Sequence, residues 1–181
     1  MIIQKKRHFS SRDLVVIGVF AAATKVITLI VALAGGGPNP ITIMLKNLIF
    51  TTLLVVLLYK VRKVGTLTLF TIVTALVSLV LLGGGVTSIP MLCIASLLTE
   101  LLVLCFGGFK KVYAVLLAVF FYDLITRVGS ILLSYLFMRE MPAMMAMVLV
   151  IVAIGYLGAL LGLVTGQFSA RELRHAGIIK Q

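Results

Sequence analysis

The chain has no tryptophan, two cysteines, two histidines, four prolines and only five acidic residues in 181. Cys93 and Cys105 stand twelve positions apart in one apolar run. On a helix that separation is about 18 Å, so they cannot bridge each other and read as small hydrophobes. His8 and His175 lie near the two ends of the chain and join neither the cysteines nor the methionines. No metal-ligand spacing results, and no metal or other cofactor is expected. There is no Gly-Lys-Ser/Thr phosphate loop, no His-Glu-x-x-His and no serine-centred nucleophile motif. The chain is therefore expected not to be an enzyme, nor to power transport through ATP by itself.

What remains is apolar. Hydrophobic residues make up 62% of the chain and the mean hydropathy is +1.25, more than a soluble core of this size can bury. The runs are too long, and too free of period-two alternation, for the staves of a barrel. They read instead as six membrane helices of about 20 residues each, at 13–34, 40–59, 64–82, 88–106, 112–137 and 142–168. Ser10-Ser11-Arg12-Asp13 supplies a cap-like start to the first helix, while Pro40 and Pro142 sit in first turns, where a missing N–H is harmless. The apolar run from Leu14 to Ala34 exceeds the core of a signal peptide and contains Lys25, so it reads as a retained helix. Residues 1–181 form a single domain, an all-α bundle without linkers. Its two halves show no obvious sequence repeat, which argues against an inverted-repeat transporter.

The net charge of +11 has an address. Basic residues crowd the N-terminus (Lys5, Lys6, Arg7, Arg12), the second break (Lys60, Arg62, Lys63), the fourth (Lys110, Lys111) and the C-terminus (Arg171, Arg174, Lys180). The first and third breaks, Gly35–Pro40 and Gly83–Ser88, carry no charge, and Met138–Pro142 is neutral in sum. Lys and Arg are retained on the cytoplasmic side, so both termini are expected inside. There the charge faces anionic lipid at about 1 kcal/mol per residue, and no nucleic-acid partner is needed to explain it.

Five ionisable side chains fall within the spans: Lys25, Lys46, Glu100, Asp123 and Arg127. Such groups face a bundle interior or water, because a charge at the bilayer centre costs about 2.5–3.5 kcal/mol. Asp123 and Arg127 are i and i+4 on one helix and can pair. Lys25 and Glu100 could pair across the bundle. Lys46 and Arg127 lie toward the outer half, with Arg139 at its mouth, so surplus positive charge there suits a carboxylate or phosphate ligand. Closed structural pairs, or a Lys46 that snorkels outward, are the alternative. From depth and charge the candidate binding residues are Lys46, Asn47, Asp123, Arg127 and Tyr135, with Asp123 orienting Arg127. Apart from Met1, all methionines (Met44, Met91, Met138, Met141, Met144, Met145, Met147) fall in this outer half, as an adaptable apolar mouth or as lipid-facing filler. Gly158, Gly162 and Gly166 form a packing stripe in the sixth helix, and Gly18 with Ala22 a second small face in the first.

Four segments carry a resemblance to a known family: Ser11-Arg12-Asp13-Leu14-Val15-Val16-Ile17-Gly18-Val19-Phe20-Ala21-Ala22, the turn Gly83-Gly84-Gly85, Tyr135-Leu136-Phe137-Met138-Arg139, and Gly158-Ala159-Leu160-Leu161-Gly162 with Arg174-His175-Ala176-Gly177-Ile178. In these the chain resembles an S component, the substrate-binding membrane subunit of an energy-coupling factor (ECF) transporter, and more specifically the Trep_Strep group. It departs from that group in lacking tryptophans after the glycine turn. The resemblance implies a multi-pass protein of the bacterial plasma membrane that captures a vitamin or cofactor-like micronutrient. An amphipathic anion such as a tetrapyrrole or haem, a pterin or a carboxylated vitamin would suit the cations and the methionines. Delivery would follow docking through Gly18 and Ala22 onto a transmembrane coupling subunit served by two ABC ATPases. Arg139 is the binding candidate that the family likeness itself supplies. The alternatives are a proton-coupled secondary transporter using Glu100 or Asp123, and a structural or regulatory membrane subunit.

Overall fold

A computed structural model describes residues 9–37, 39–82, 89–106, 108–109, 112–140 and 142–176. Residues 83–88, Lys5, Lys6, Arg7, His8, Lys110, Lys111, Met141, Gly177, Ile178, Lys180 and the Met138 side chain lie outside the described residues. Among the described residues there are six helices and no strand: α1 (Ser11–Ala34), α2 (Pro40–Lys60), α3 (Thr66–Leu82), α4 (Ile89–Cys105), α5 (Val112–Met138) and α6 (Pro142–His175).

Local chemistry sets the helix ends. Ser10 caps α1 reciprocally: its hydroxyl oxygen accepts from the Asp13 N–H, while the Asp13 carboxylate accepts from the Ser10 N–H. Asn39 caps α2 by accepting from the Thr42 N–H at 2.8 Å, with Pro40 in the first turn. Gly65, at φ +94°, turns the chain between α2 and α3, and its missing Cβ leaves room for the Phe9 ring. Asp13 also pairs with Lys63 at 2.5 Å, tying the start of α1 to that turn.

Four helices (Ser11–Ala34, Pro40–Lys60, Tyr113–Phe137 and Pro142–His175) are long and apolar enough to cross a membrane, while α3 and α4 reach 17 residues each. That length is the lower limit for a span. The contacts close into a ring, α1–α2–α6–α5–α4–α3 and back to α1, with α2 also touching α5 across it. The bundle is tightest around α2, where Leu54 to Tyr59 are buried on every side of the helix. Large apolar side chains such as Val19, Ile30, Leu101 and Val150 point outward, while Thr24, Thr51, Thr71, Thr74, Ser96 and Thr99 are buried. Several of these hydroxyls satisfy themselves on the carbonyl one turn back, as Thr74 does on Phe70 and Thr99 on Ala95. Small polar residues inside and branched apolar ones outside is the arrangement of a helical bundle in lipid.

The helix directions follow from the register of these contacts. Gly158, Gly162 and Gly166 of α6 meet Met44, Leu48 and Val55 of α2 in rising order, so α6 runs parallel to α2. α1 runs against α2, since Asp13 meets Lys63 and Gly35 abuts Thr42. The first and last helical residues therefore share one end of the bundle. α6 continues seven residues past the expected limit at Phe168 because Ala170 is buried and Leu173 packs on the core. Its 34 residues give about 50 Å of helix, well beyond the hydrocarbon thickness of about 30 Å.

Candidate functional site

On α5 the residues Tyr122, Asp123, Thr126, Arg127 and Ser130 repeat at helical spacing, so one face of an otherwise apolar helix is polar. That face looks into the ring. The Arg127 Nε donates to Asp123 Oδ2 at 2.7 Å and Nη2 to Asp123 Oδ1 at 3.2 Å, a two-point pairing one turn apart. Nη2 also donates to Asn47 Oδ1 of α2 at 2.9 Å, and Nη1 to the Val152 carbonyl of α6 at 3.2 Å. The guanidinium lies 5.9 Å from the centre of the Tyr156 ring. Arg127 thus ties three helices together.

Two small details make the cluster possible. The Asn47 amide nitrogen donates to the Ile43 carbonyl at 2.8 Å, which orients its oxygen toward Arg127. Gly155 of α6 leaves the space the guanidinium occupies, since a Cβ there would stand 2.6 Å from Arg127 Nη1 and 3.0 Å from Asn47 Nδ2. On the α4 side Gly129 makes the same kind of notch for the Met91 side chain.

Beside the cluster lies a cavity of about 270 Å³ lined by Asn47, Phe50, Leu92, Tyr122, Asp123, Thr126, Arg127, Ser130 and Val152. Phe50 and Tyr122 are stacked, 6.5 Å between centres and 22° between planes, and form its apolar wall. Thr126 and Ser130 give their hydroxyl hydrogens to the carbonyls of Tyr122 and Thr126, which leaves their oxygen lone pairs as acceptors.

Of the residues singled out in the sequence, Asn47, Asp123 and Arg127 are brought together here. Lys46 is half-buried next to Asn47 on α2 but does not line the cavity. Tyr135 (48% exposed) and Arg139 lie beyond it, exposed on the last turns of α5 and just after them. Lys25 and Glu100 form no ion pair among the described residues: Glu100, 6% exposed, accepts from the Thr68 N–H in the first turn of α3 at 3.1 Å. Met144 and Met147 are exposed, whereas Met91 packs inward against Gly129. The α6 glycine stripe is internal packing against α2. Gly18 differs: a Cβ there would meet nothing within 4 Å, and Ala22 is exposed.

Sequence reasoning missed Phe50, Tyr122, Thr126 and Ser130. The last three were legible as the α5 polar stripe through Asp123 and Arg127. Phe50 gave no signal among so many apolar neighbours.

A model of the Trep_Strep family, described as a hypothetical bacterial integral membrane protein, matches residues 11–146. That stretch contains every cavity residue except Val152. No curated protein and no solved structure matches the chain.

Proposed function

We propose that this chain, which belongs to the Trep_Strep family of bacterial integral membrane proteins, is the substrate-binding S component of an ECF-type importer. The observation that carries the reading is the cavity beside Arg127, Asp123 and Asn47, lined by side chains of α2, α4, α5 and α6 within a ring of apolar helices. Polar groups converging on a concave space are what a small-molecule site requires. With both termini in the cytoplasm of a plasma-membrane, multi-pass protein, this cavity sits in the outer half, where a scarce vitamin or cofactor-like micronutrient would be captured. Lys46, Tyr135 and Arg139 would act at the approach, outside the cavity itself. The chain would not be an enzyme, because ATP hydrolysis belongs to partner subunits. Docking on a transmembrane coupling subunit would use α1, whose Gly18 and Ala22 turn away from the bundle. A small-xxx-small face permits a close and reversible helix contact.

The completeness of the Arg127 pairing favours a second reading, a structural or regulatory subunit in which the cluster only fastens three helices. One experiment separates the two. The protein is purified gently from its native membrane, and co-purifying subunits and retained small molecules are identified by mass spectrometry. Two ABC-type ATPases with a coupling subunit are expected. Recovery of the chain alone, self-associated and empty, overturns the S-component reading.

A further inference from the structure

The charge balance of the cavity narrows its occupant. Arg127 has five N–H hydrogens. Two go to Asp123, one to Asn47 and one to the Val152 carbonyl, leaving a single Nη1 hydrogen. The formal charges in the cavity wall are Arg127 and Asp123, and they cancel. An entering carboxylate or phosphate would meet the Asp123 carboxylate and would have to pull Arg127 away from it. A buried anion without its own cation is strongly disfavoured. An uncharged guest meets no such barrier. Asn47 retains one amide hydrogen, Arg127 one Nη1 hydrogen, and Thr126 and Ser130 offer acceptor lone pairs. The stacked Phe50–Tyr122 wall suits a flat ring. At about 270 Å³ the space falls just below the usual range of about 300–1,000 Å³ for ligand pockets, so it takes one or two fused rings and cannot enclose a tetrapyrrole.

We infer that the site selects a compact, planar heterocycle with no net charge, held by hydrogen bonds from Asn47 and Arg127 and to Thr126 and Ser130, and not an anion. This rests on the reading of the cavity as a ligand site.

The test uses the full chain in phosphatidylcholine nanodiscs and two near-isosteric pairs that differ in charge at neutral pH: nicotinamide against nicotinate, and indole-3-acetamide against indole-3-acetate. Any retained native molecule is released and identified by mass spectrometry beforehand. The expected result is that the amide of each pair binds at least tenfold tighter than its acid, and that a retained molecule is neutral. Removing the carboxylate charge in Asp123→Asn frees Arg127 and should reverse the preference toward the acid, which ties the effect to this cavity. Equal or tighter binding of the acids by the unmodified chain, or a retained anion, overturns the inference while leaving the S-component reading standing. Should no probe bind and no molecule be retained, the ligand reading itself fails, and this inference with it.

Discussion

Arg127 concentrates the chemistry of the molecule in one side chain. Its side chain is largely buried, 13% exposed, and its four hydrogen bonds reach α2, α5 and α6. Removing one partner of a buried pair leaves the other charge uncompensated, so Arg127→Ala should destabilise the bundle by about 3 kcal/mol. Unfolding in SDS–detergent mixtures measures this, and a loss below about 1 kcal/mol would show that the cluster is not a fastening. Gly155→Ala tests the same place more gently. Its new Cβ presses on the end of a flexible side chain, so Arg127 should move, and ligand affinity should fall further than stability. At the opposite end of the bundle, Asp13 completes the α1 capping box and pairs with Lys63. Asp13→Ala should lower stability by about 1 kcal/mol, mostly through the lost hydrogen bond to the Ser10 N–H, because the Ser10 cap itself remains and a partly exposed ion pair adds little. The i, i+4 pairing of Asp123 with Arg127 was legible in the sequence, since both partners lie on one helix. Its Asn47 and Val152 partners were not, as they stand 80 and 25 residues away along the chain.

Among the helices, glycines have opposite roles according to the face they occupy. Gly158 and Gly162 admit the α2 backbone so closely that an added Cβ would collide with the carbonyls of Met44 and Leu48. Backbone cannot swing aside as a side-chain end can. Gly158→Ala and Gly162→Ala should each cost about 1–3 kcal/mol in the same unfolding assay. Gly18→Ala, by contrast, adds a methyl where nothing lies within 4 Å, and should leave the isolated chain unchanged or stabilise it by about 0.5–1 kcal/mol through helix propensity. Gly18→Leu should likewise spare the fold but abolish co-purification of the coupling subunit proposed above, and unimpaired co-purification would exclude α1 as the docking face. The spacing of the glycines was visible in the sequence. Which stripe faced inward depended on which helix became its neighbour.

For the whole molecule, the ring places the start of α1 and the end of α6 at one end. In a background lacking Cys93 and Cys105, a membrane-impermeant maleimide applied to intact cells should label Glu140→Cys and spare both Arg12→Cys and Ala176→Cys. Labelling of Arg12→Cys would reverse the proposed orientation. The sequence by itself determined the class of the protein, because hydropathy, caps and breaks are local properties written residue by residue. It marked out the helices closely, except at the end of α6, where packing of Ala170 and Leu173 carried the helix past its apolar run. It also placed Asp123 and Arg127 on one face. Only the tertiary structure decided that α2 packs between α1 and α6, that Glu100 turns to the first turn of α3, and that Asn47 of α2 and the Val152 carbonyl of α6 complete the hydrogen bonding of Arg127. Those outcomes depend on side chains far apart in the chain meeting at distances of a few ångströms. A pattern of residue types along one strand of sequence carries no record of which distant helix will supply the partner.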